Sequence, residues 1–323
     1  MSVVDLIADV GGTNIRLAAI KDEKITRLEC FKCAEFDSLE SVVAHYIEMY
    51  DLAVNDACFG IAGPVVGEVL TMTNLGWSFS IASVKDALGL NQVHFINDYT
   101  AIAMSLASLK GEQLVTLHEG RVDEDAPRIV CGPGTGLGVA QLVKVNGFLQ
   151  CISGEGGHSD FAPTDRRQLK LLENLMAKFE HVSIERLLSG QGIVNIYQSL
   201  AFIEGIDAQA FDASQISQAY IKKSDALCVE TMEIFYKTLA QYLGNMVLTS
   251  GAFGGVYIAG GIMPRIIDVI DIKAFVEAFS RKGRFSDYAL RAPIHLIKEA
   301  QPGLIGAQVY LGQIQQKESL NEQ

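Results

Sequence analysis

The sequence predicts an α/β protein built of two lobes. Its 323 residues, 49% of them apolar, suffice for two hydrophobic cores, because chains of this length usually divide into two domains. In the first half, apolar strand patterns alternate with helical patterns, which is typical of the α/β class. The second half opens as the first does, with a strand, a glycine turn that carries a threonine, and a second strand.

The first lobe begins with a β-hairpin pattern, an apolar strand that breaks at a Gly-Gly-Thr-Asn turn and then resumes. Asp37-Ser38 is a helix cap followed by apolar residues at helical spacing. A later strand ends at Asn97-Asp98. The predicted elements are strands at 3–10, 15–20, 24–33, 58–62 and 93–96, and helices at 39–50 and 99–107.

The second lobe follows a polar stretch at 119–127, which has the composition of a surface loop. Glycine pairs flank one of its later strands on both sides. The predicted elements are strands at 129–131, 139–145 and 256–259, and helical patterns at 169–179, 183–188, 225–248 and 302–314.

The charge balance excludes some classes of partner. A formal net charge of −12 disfavours nucleic acid and anionic membranes as partners, because both attract clustered Lys and Arg. The residues from Met1 to Gly12 form a strand pattern, not a signal-peptide pattern, and no apolar run reaches the roughly 20 residues that span a bilayer. We therefore expect a cytoplasmic protein.

Six cysteines are too few for a scaffold held by disulfides. Cys30 and Cys33 have C-x-x-C spacing, which can indicate a metal or redox site. The alternation of polar and apolar residues there favours a strand, and no second pair or nearby His completes a zinc site.

Two glycine turns, Asp9–Thr13 and Gly134–Gly136, are candidate phosphate sites. Backbone N–H groups in such turns can approach an anion closely, and Asp9 at the strand end can hold water on Mg²⁺. An ordinary hairpin is the alternative for each turn. The chain has no G-x-x-x-x-G-K-[ST] motif, and the glycines from Gly132 to Gly138 do not fit G-x-G-x-x-G, so a P-loop and a nicotinamide site are disfavoured.

Asp98 is the candidate general base. An apolar strand delivers its carboxylate to the strand's C-terminal end, where open α/β sheets bind ligands. There it can accept a proton from a substrate hydroxyl that attacks phosphorus. The alternative is that Asp98 caps the following helix.

A glycine-rich segment, Ser153–His158, holds Glu155 and His158, which supply acceptors and a donor for sugar hydroxyls. A zinc site and an exposed loop are the alternatives. Glu185 is either another hydroxyl acceptor or a favourable first-turn acid in a helix capped by Ser183.

Taken together, these segments resemble the bacterial glucokinase family, within the group that shares its core with hexokinase, actin and the heat-shock ATPases. They occur in family order along nearly the whole chain. They are Asp9–Arg16, Thr73-Asn74 with Trp77, Ile96–Asp98, Gly134–Gly138, Gly154–His158 with Asp160–Pro163, Glu185-Arg186 with Leu188–Gly190, and Gly254–Gly261.

The resemblance implies a two-lobed fold of ribonuclease-H-like (actin-like ATPase) topology with the active site in the cleft between lobes. It implies a small domain at 1–108, joined by 301–320, a large domain at 109–300, and a homodimer. It further implies ATP-dependent phosphorylation of glucose at the 6-hydroxyl, with Mg²⁺.

The resemblance also implies residue roles. Asp98 is the base, and Asn97, Glu155, His158 and Glu185 hold the other hydroxyls of the sugar. Gly260 and Gly261 lie near the adenosine, and Asp9 holds Mg²⁺ through water. The residues around the phosphates are Asp9, Gly11, Gly12, Thr13, Asn14, Gly134, Thr135 and Gly136.

The sequence departs from the family pattern at two places, and three alternative functions remain. The related repressor and kinase family carries a cysteine-rich zinc motif where this chain has Ser159–Pro163, so no zinc is expected. Gly60–Glu68 matches its family segment only loosely, which leaves sugar specificity open. The rivals are a kinase for fructose, mannose or an amino sugar, a sugar sensor without turnover, and an actin-like filament protein that binds ATP without sugar.

Overall fold

The structure, a computed structural model, describes residues 3–72 and 75–321. The Thr73-Asn74 segment of the family pattern lies outside the described residues. The chain divides into two compact units. The first comprises Met1–Lys110, Val145–Cys151 and Glu299–Gln323, and the second comprises Gly111–Lys144 and Ile152–Lys298.

The described residues contain thirteen strands, numbered in chain order. They are β1 Val3–Val10, β2 Asn14–Lys21, β3 Lys24–Lys32, β4 Ala53–Ile61, β5 Val69–Met72, β6 Trp77–Ser80, β7 Gln92–Asn97, β8 Leu114–His118, β9 Arg128–Pro133, β10 Leu137–Val145, β11 Phe148–Gly154, β12 Gly255–Ile258 and β13 Ile294–Ile297.

Eleven α-helices occur in the same described residues, numbered in the same way. They are α1 Leu39–Tyr50, α2 Ile81–Leu88, α3 Asp98–Ser105, α4 Arg166–Met176, α5 Gly190–Glu204, α6 Ala213–Lys222, α7 Ala226–Ser250, α8 Met263–Ile266, α9 Ile272–Ser280, α10 Ser286–Ala289 and α11 Pro302–Asn321.

The main sheet of the first unit has the strand order β3-β2-β1-β4-β7. Strands β1 to β3 form an antiparallel meander, while β4 lies parallel to β1 and β7 parallel to β4. The carboxyl ends of β1, β4 and β7 therefore meet at one edge of the sheet, where ligands of open α/β sheets bind.

The sheet that contains most strands of the second unit repeats this arrangement. Its order is β11-β10-β9-β12-β13-β8, with β10 antiparallel to β9, and β12 parallel to both β9 and β13. An antiparallel strand, β8, is added at the far edge. The shared topology matches the repeated strand, glycine turn and strand of the sequence.

Both faces of the first unit's sheet are covered, because successive residues of β1 point to opposite sides. Leu6 packs into a core with α1, whereas Ile7 packs into a second core with α3 and α11. In the second unit, one large core joins the sheet to α4, α5, α6, α7 and α9. No helix of the described chain is long and apolar enough to cross a membrane.

Most predicted elements are confirmed within a few residues. The pattern at 183–188, however, forms only a 3₁₀ turn at Ile184–Arg186. Several elements were not predicted, among them the helices α2, α5, α6 and α9 and the strands β5, β6, β8, β11 and β13. The chain segment Val145–Cys151 groups with the first unit, outside the range of 1–108 and 301–320. It comprises the last residue of β10, the following two-residue turn and the first four residues of β11.

Helix α11 approaches α3 so closely that only glycine fits at the crossing. A Cβ on Gly306 would overlap the carbonyl oxygen of Ala101. Ala101 lies three residues after Asp98, so this crossing fixes the helix that begins at the candidate base.

We predict that Gly306→Ala lowers the free energy of unfolding by about 3 kcal/mol, because the new methyl group displaces one helix from the other. Gly312→Ala, at an exposed position of the same helix, is the matched control, since nothing lies within 4 Å of its added Cβ. It should stabilise the protein by about 0.5–1 kcal/mol. Urea unfolding of both variants checks this, and equal midpoints would contradict the close crossing.

Candidate active site

Two carboxylates emerge at the edge of the first unit's sheet. Asp9 lies opposite Gly60 in the pairing of β1 with β4, and Gly60 lies opposite Ile96 in the pairing of β4 with β7. The strand between Asp9 and Ile96 thus has no side chain at this level. Asp98 lies two residues after Ile96. The negative charge of Asp9 raises the pKa of the Asp98 carboxyl group.

Burial raises the pKa of Asp98 to about 6, from a usual value of 3.8. The negative charge of Asp9 raises this pKa further, while the Tyr99 N–H and the Asn97 side chain oppose the rise. The Tyr99 N–H donates to Asp98 Oδ1 over 2.9 Å. A carboxylate with this pKa can take a proton at neutral pH and is a stronger base than a solvated one.

Asn97, not Asp98, caps helix α3. Its Oδ1 accepts from the Tyr99 N–H over 2.9 Å and from the Thr100 N–H over 3.4 Å, and its backbone is extended. The sequence-based alternative of Asp98 as the cap is therefore wrong, because Asp98 is already the first helical residue. Asn97 Nδ2 donates to the Gly63 carbonyl over 3.0 Å, which fixes the orientation of the amide.

The first glycine turn joins β1 to β2. The Gly11 N–H donates to the Asn14 carbonyl over 2.9 Å and closes the turn, while Gly12 and Thr13 are exposed. Cys33 holds the turn from the side, because its N–H donates to the Thr13 carbonyl over 2.9 Å and its thiol to the Gly11 carbonyl over 3.6 Å. Cys33 is therefore a structural partner of this turn.

Arg16 is a site residue to which sequence reasoning gave no role. It lies directly opposite Asp9 in the pairing of β1 with β2, and its Nη1 is 3.5 Å from Asp9 Oδ2. Burial raises the pKa of Asp9, and the charge of Arg16 opposes that rise. The sequence signal for this pair was the spacing of seven residues between Asp9 and Arg16 across a tight hairpin.

The second glycine turn joins β9 to β10. The Gly134 N–H donates to the Gly136 carbonyl over 2.8 Å, and the Gly134 carbonyl accepts from the Gly190 N–H over 2.8 Å. At the far end of the turn, the Leu137 N–H donates to Glu185 Oε2 over 2.8 Å. Thr135, between these anchors, is exposed.

His158 and Glu185 line one pocket of about 350 Å³ in the second unit. Each lies in a short 3₁₀ turn, Gly156–His158 and Ile184–Arg186. Glu155 is exposed and is not among the described residues that line this pocket. The other lining residues are Ser183 and Arg186, which sequence reasoning named without a ligand role, and Lys178, Phe179, Glu180 and His181, which it did not single out.

Gly260 and Gly261 lie two and three residues after the end of β12 and are exposed. Gly260 has a φ of 81°, and a Cβ there would overlap the Pro133 carbonyl oxygen. The strand end therefore lies against the start of the second glycine turn.

No group of three or more His, Cys, Asp or Glu side chains within 3–72 and 75–321 is arranged to hold a metal ion. Mg²⁺ does not require such a cluster, since it commonly keeps several waters and binds one or two carboxylates with substrate phosphates. Asp9, a half-buried carboxylate beside an exposed glycine turn, fits that kind of ligand set.

We predict that Asp98→Asn stabilises the fold at pH 8. A pKa that is higher in the folded than in the unfolded state makes ionisation costly, so stability falls as pH rises from about 4 to about 6. The variant avoids this cost, which is on the order of 2 kcal/mol. The difference in stability between the variant and the unmodified protein should be largest above pH 6 and should disappear towards pH 4.

Thermal unfolding at a series of pH values measures this advantage. Asp86→Asn, at an exposed carboxylate of α2, is the matched control and should change stability by less than about 0.5 kcal/mol at every pH. A stability gain for Asp98→Asn that is equal at pH 4 and pH 8 would rule out the raised pKa as its cause.

Comparisons with known proteins agree with one another. The family model described as Glucokinase matches residues 6–314. A glucokinase of Colwellia psychrerythraea is 43% identical over 320 residues, which are 97% of this chain and 97% of that one. A glucokinase of Photorhabdus laumondii is 41% identical over 97% of this chain and 98% of its own.

Among solved structures, a glucokinase from an Antarctic psychrotroph superposes with a TM-score of 0.89 at 35% identity, covering 97% of this chain and 99% of its own. The predicted fold class is confirmed by this likeness. With a family model that spans nearly all its residues, the chain belongs to the glucokinase family.

Proposed function

We propose that this enzyme transfers the γ-phosphoryl group of ATP to the 6-hydroxyl of glucose, giving glucose 6-phosphate and ADP. The single observation that carries the proposal is Asp98, a buried carboxylate with a pKa of about 6 at the carboxyl end of a parallel strand, in a chain of the glucokinase family. Full-length relatives named as glucokinases support glucose as the sugar.

In the proposed reaction Asp98 accepts the proton of the 6-hydroxyl as that oxygen bonds to the γ-phosphorus and the bond to the β-phosphate oxygen breaks. Positioning and electrostatic stabilisation supply most of the acceleration in such transfers. The contacts of Asn97 with Gly63 and with the first amides of α3 support a fixed position for the carboxylate next to it.

The sugar's remaining hydroxyls are assigned to Asn97, Glu155, His158 and Glu185. The amide of Asn97 has a second N–H besides the one given to Gly63, and carboxylates and imidazole supply further donors and acceptors. Such pairs discriminate between sugars, because an analogue that lacks one hydroxyl leaves a buried polar group unpaired.

The phosphates are assigned to the two glycine turns, Gly11–Asn14 and Gly134–Gly136, with Gly260 and Gly261 near the adenosine. Exposure of Gly12, Thr13 and Thr135 supports access of an anion to the turn backbones. Asp9 would hold Mg²⁺ through water. When bound, Mg²⁺ neutralises charge that develops on the transferring phosphoryl group.

Under this proposal the enzyme works in the cytoplasm as a homodimer, as the family resemblance implies. Sedimentation of the purified protein tests the oligomeric state, and a monomer at micromolar concentration would refute the dimer without touching the proposed chemistry.

An ADP-release assay with Mg-ATP and a panel of hexoses tests the function. ADP release should depend on sugar and should show its highest kcat/KM for glucose. A higher value for fructose, mannose or an amino sugar would keep the kinase and reject the substrate. ATP turnover that ignores sugar, or sugar binding without turnover, would reject the reaction.

We predict that Asp98→Asn lowers kcat by about 10²–10⁴-fold while the Kd for glucose changes only severalfold, because the amide cannot accept the proton. In the unmodified enzyme, kcat/KM should fall below about pH 6, where Asp98 becomes protonated. Steady-state kinetics from pH 5 to 8 measure both effects. Asp86→Asn is the control, and near-normal turnover of Asp98→Asn would contradict the assignment of Asp98 as the base.

A further inference from the structure

Glu185 has a contact that sugar binding alone does not require. Its Oε2 accepts the Leu137 N–H over 2.8 Å, at the end of the turn Gly134–Gly136. The same side chain lines the 350 Å³ pocket that it shares with His158. One residue thus lines the pocket and holds the backbone of the second glycine turn.

The turn leaves room for this carboxylate only because residue 136 is glycine. A Cβ at Gly136 would lie 2.7 Å from Glu185 Oε2 and 3.5 Å from its Cδ. By contrast, nothing lies within 4 Å of a Cβ added at Gly134 in the same turn. The Glu185 carboxylate therefore lies against the Gly136 end of the turn and not against the Gly134 end.

The chain that follows Glu185 is also hydrogen-bonded, both within itself and to the turn. The Glu185 carbonyl accepts from Ser189 Oγ over 2.9 Å, and Ser189 also caps α5 through the Gly192 N–H. One residue later, the Gly190 N–H donates to the Gly134 carbonyl over 2.8 Å. The segment from Glu185 to Gly190 is therefore hydrogen-bonded to both ends of the turn.

From this geometry we infer that Glu185 is a positioning residue for the phosphate turn as well as a sugar ligand, so that glucose and the nucleotide bind with positive coupling through it. A sugar hydroxyl that fixes the Glu185 carboxylate also fixes the Leu137 N–H and the turn that ends there. The inference rests on the proposed function, which assigns sugar to the pocket and phosphate to the turn.

The sharpest test compares Gly136→Ala with Gly134→Ala. In Gly136→Ala the added methyl displaces the flexible end of the Glu185 side chain, so the fold should survive while the carboxylate moves. Calorimetric titration with glucose, in the absence of nucleotide, should show a Kd raised about tenfold or more. Gly134→Ala should leave that Kd within twofold, although both residues lie in the proposed phosphate turn.

Coupling is measured by titrating the non-hydrolysable analogue AMPPNP with and without saturating glucose. The unmodified enzyme should bind AMPPNP several times more tightly with glucose present. Glu185→Ala should abolish this ratio, whereas Glu185→Gln, which keeps an acceptor for the Leu137 N–H, should preserve part of it. In the Glu185→Ala background, Gly136→Ala should no longer weaken glucose binding.

The two hypotheses fail differently. If the unmodified enzyme neither binds glucose nor releases ADP with it, the proposed function fails. If it does both, but Gly136→Ala binds glucose as well as Gly134→Ala does, or the AMPPNP ratio survives in Glu185→Ala, the coupling role of Glu185 is wrong and the function stands. Circular dichroism confirms that each variant is folded before titration.

Discussion

The second unit is organised around one constraint, the close approach of other backbone segments to the turn Pro133–Leu137. A Cβ on Gly157 would overlap the Leu137 carbonyl oxygen, and one on Gly260 would overlap the Pro133 carbonyl oxygen. Between them, the Gly190 N–H donates to the turn itself. Each of these three residues belongs to or adjoins a segment that carries predicted site residues. The positions of those side chains are therefore set by contacts that only a small backbone permits.

In the first unit, the corresponding constraint is the shared edge of three parallel strands, at which Asp9 and Asp98 emerge. The edge is held by α3, whose cap is Asn97, and α3 is held by the crossing with α11. Burial there raises the pKa of Asp98 instead of stabilising its charge. The fold thus keeps a carboxylate where ionisation is unfavourable, and carboxylates with such perturbed pKa values are concentrated at functional sites.

Sequence reasoning succeeded where the signal is local. Strand, glycine turn and strand are adjacent in the chain, so both hairpins and the strand that ends at Asn97 could be predicted. It failed for α5, which begins with two glycines in three residues and is buried on several sides, so that it lacks a clear polar face. It also failed to identify the N-cap of α3, because Asn97 and Asp98 are adjacent and both residue types favour N-cap positions. The contact of Glu185 with Leu137 spans 48 residues, and no local spacing encodes it.

The two units repeat one topology but hold their glycine turns by different chemistry. The first turn is braced by Cys33, whose buried thiol and backbone N–H form weak or neutral hydrogen bonds with it. The second is braced by a carboxylate that also lines a pocket. A ligand in that pocket can alter the hydrogen bonding of Glu185, whereas burial raises the pKa of the Cys33 thiol and keeps it neutral. If the pocket binds sugar as proposed, only the carboxylate brace adjoins that ligand, so the symmetry of the fold does not extend to the way its two turns are held.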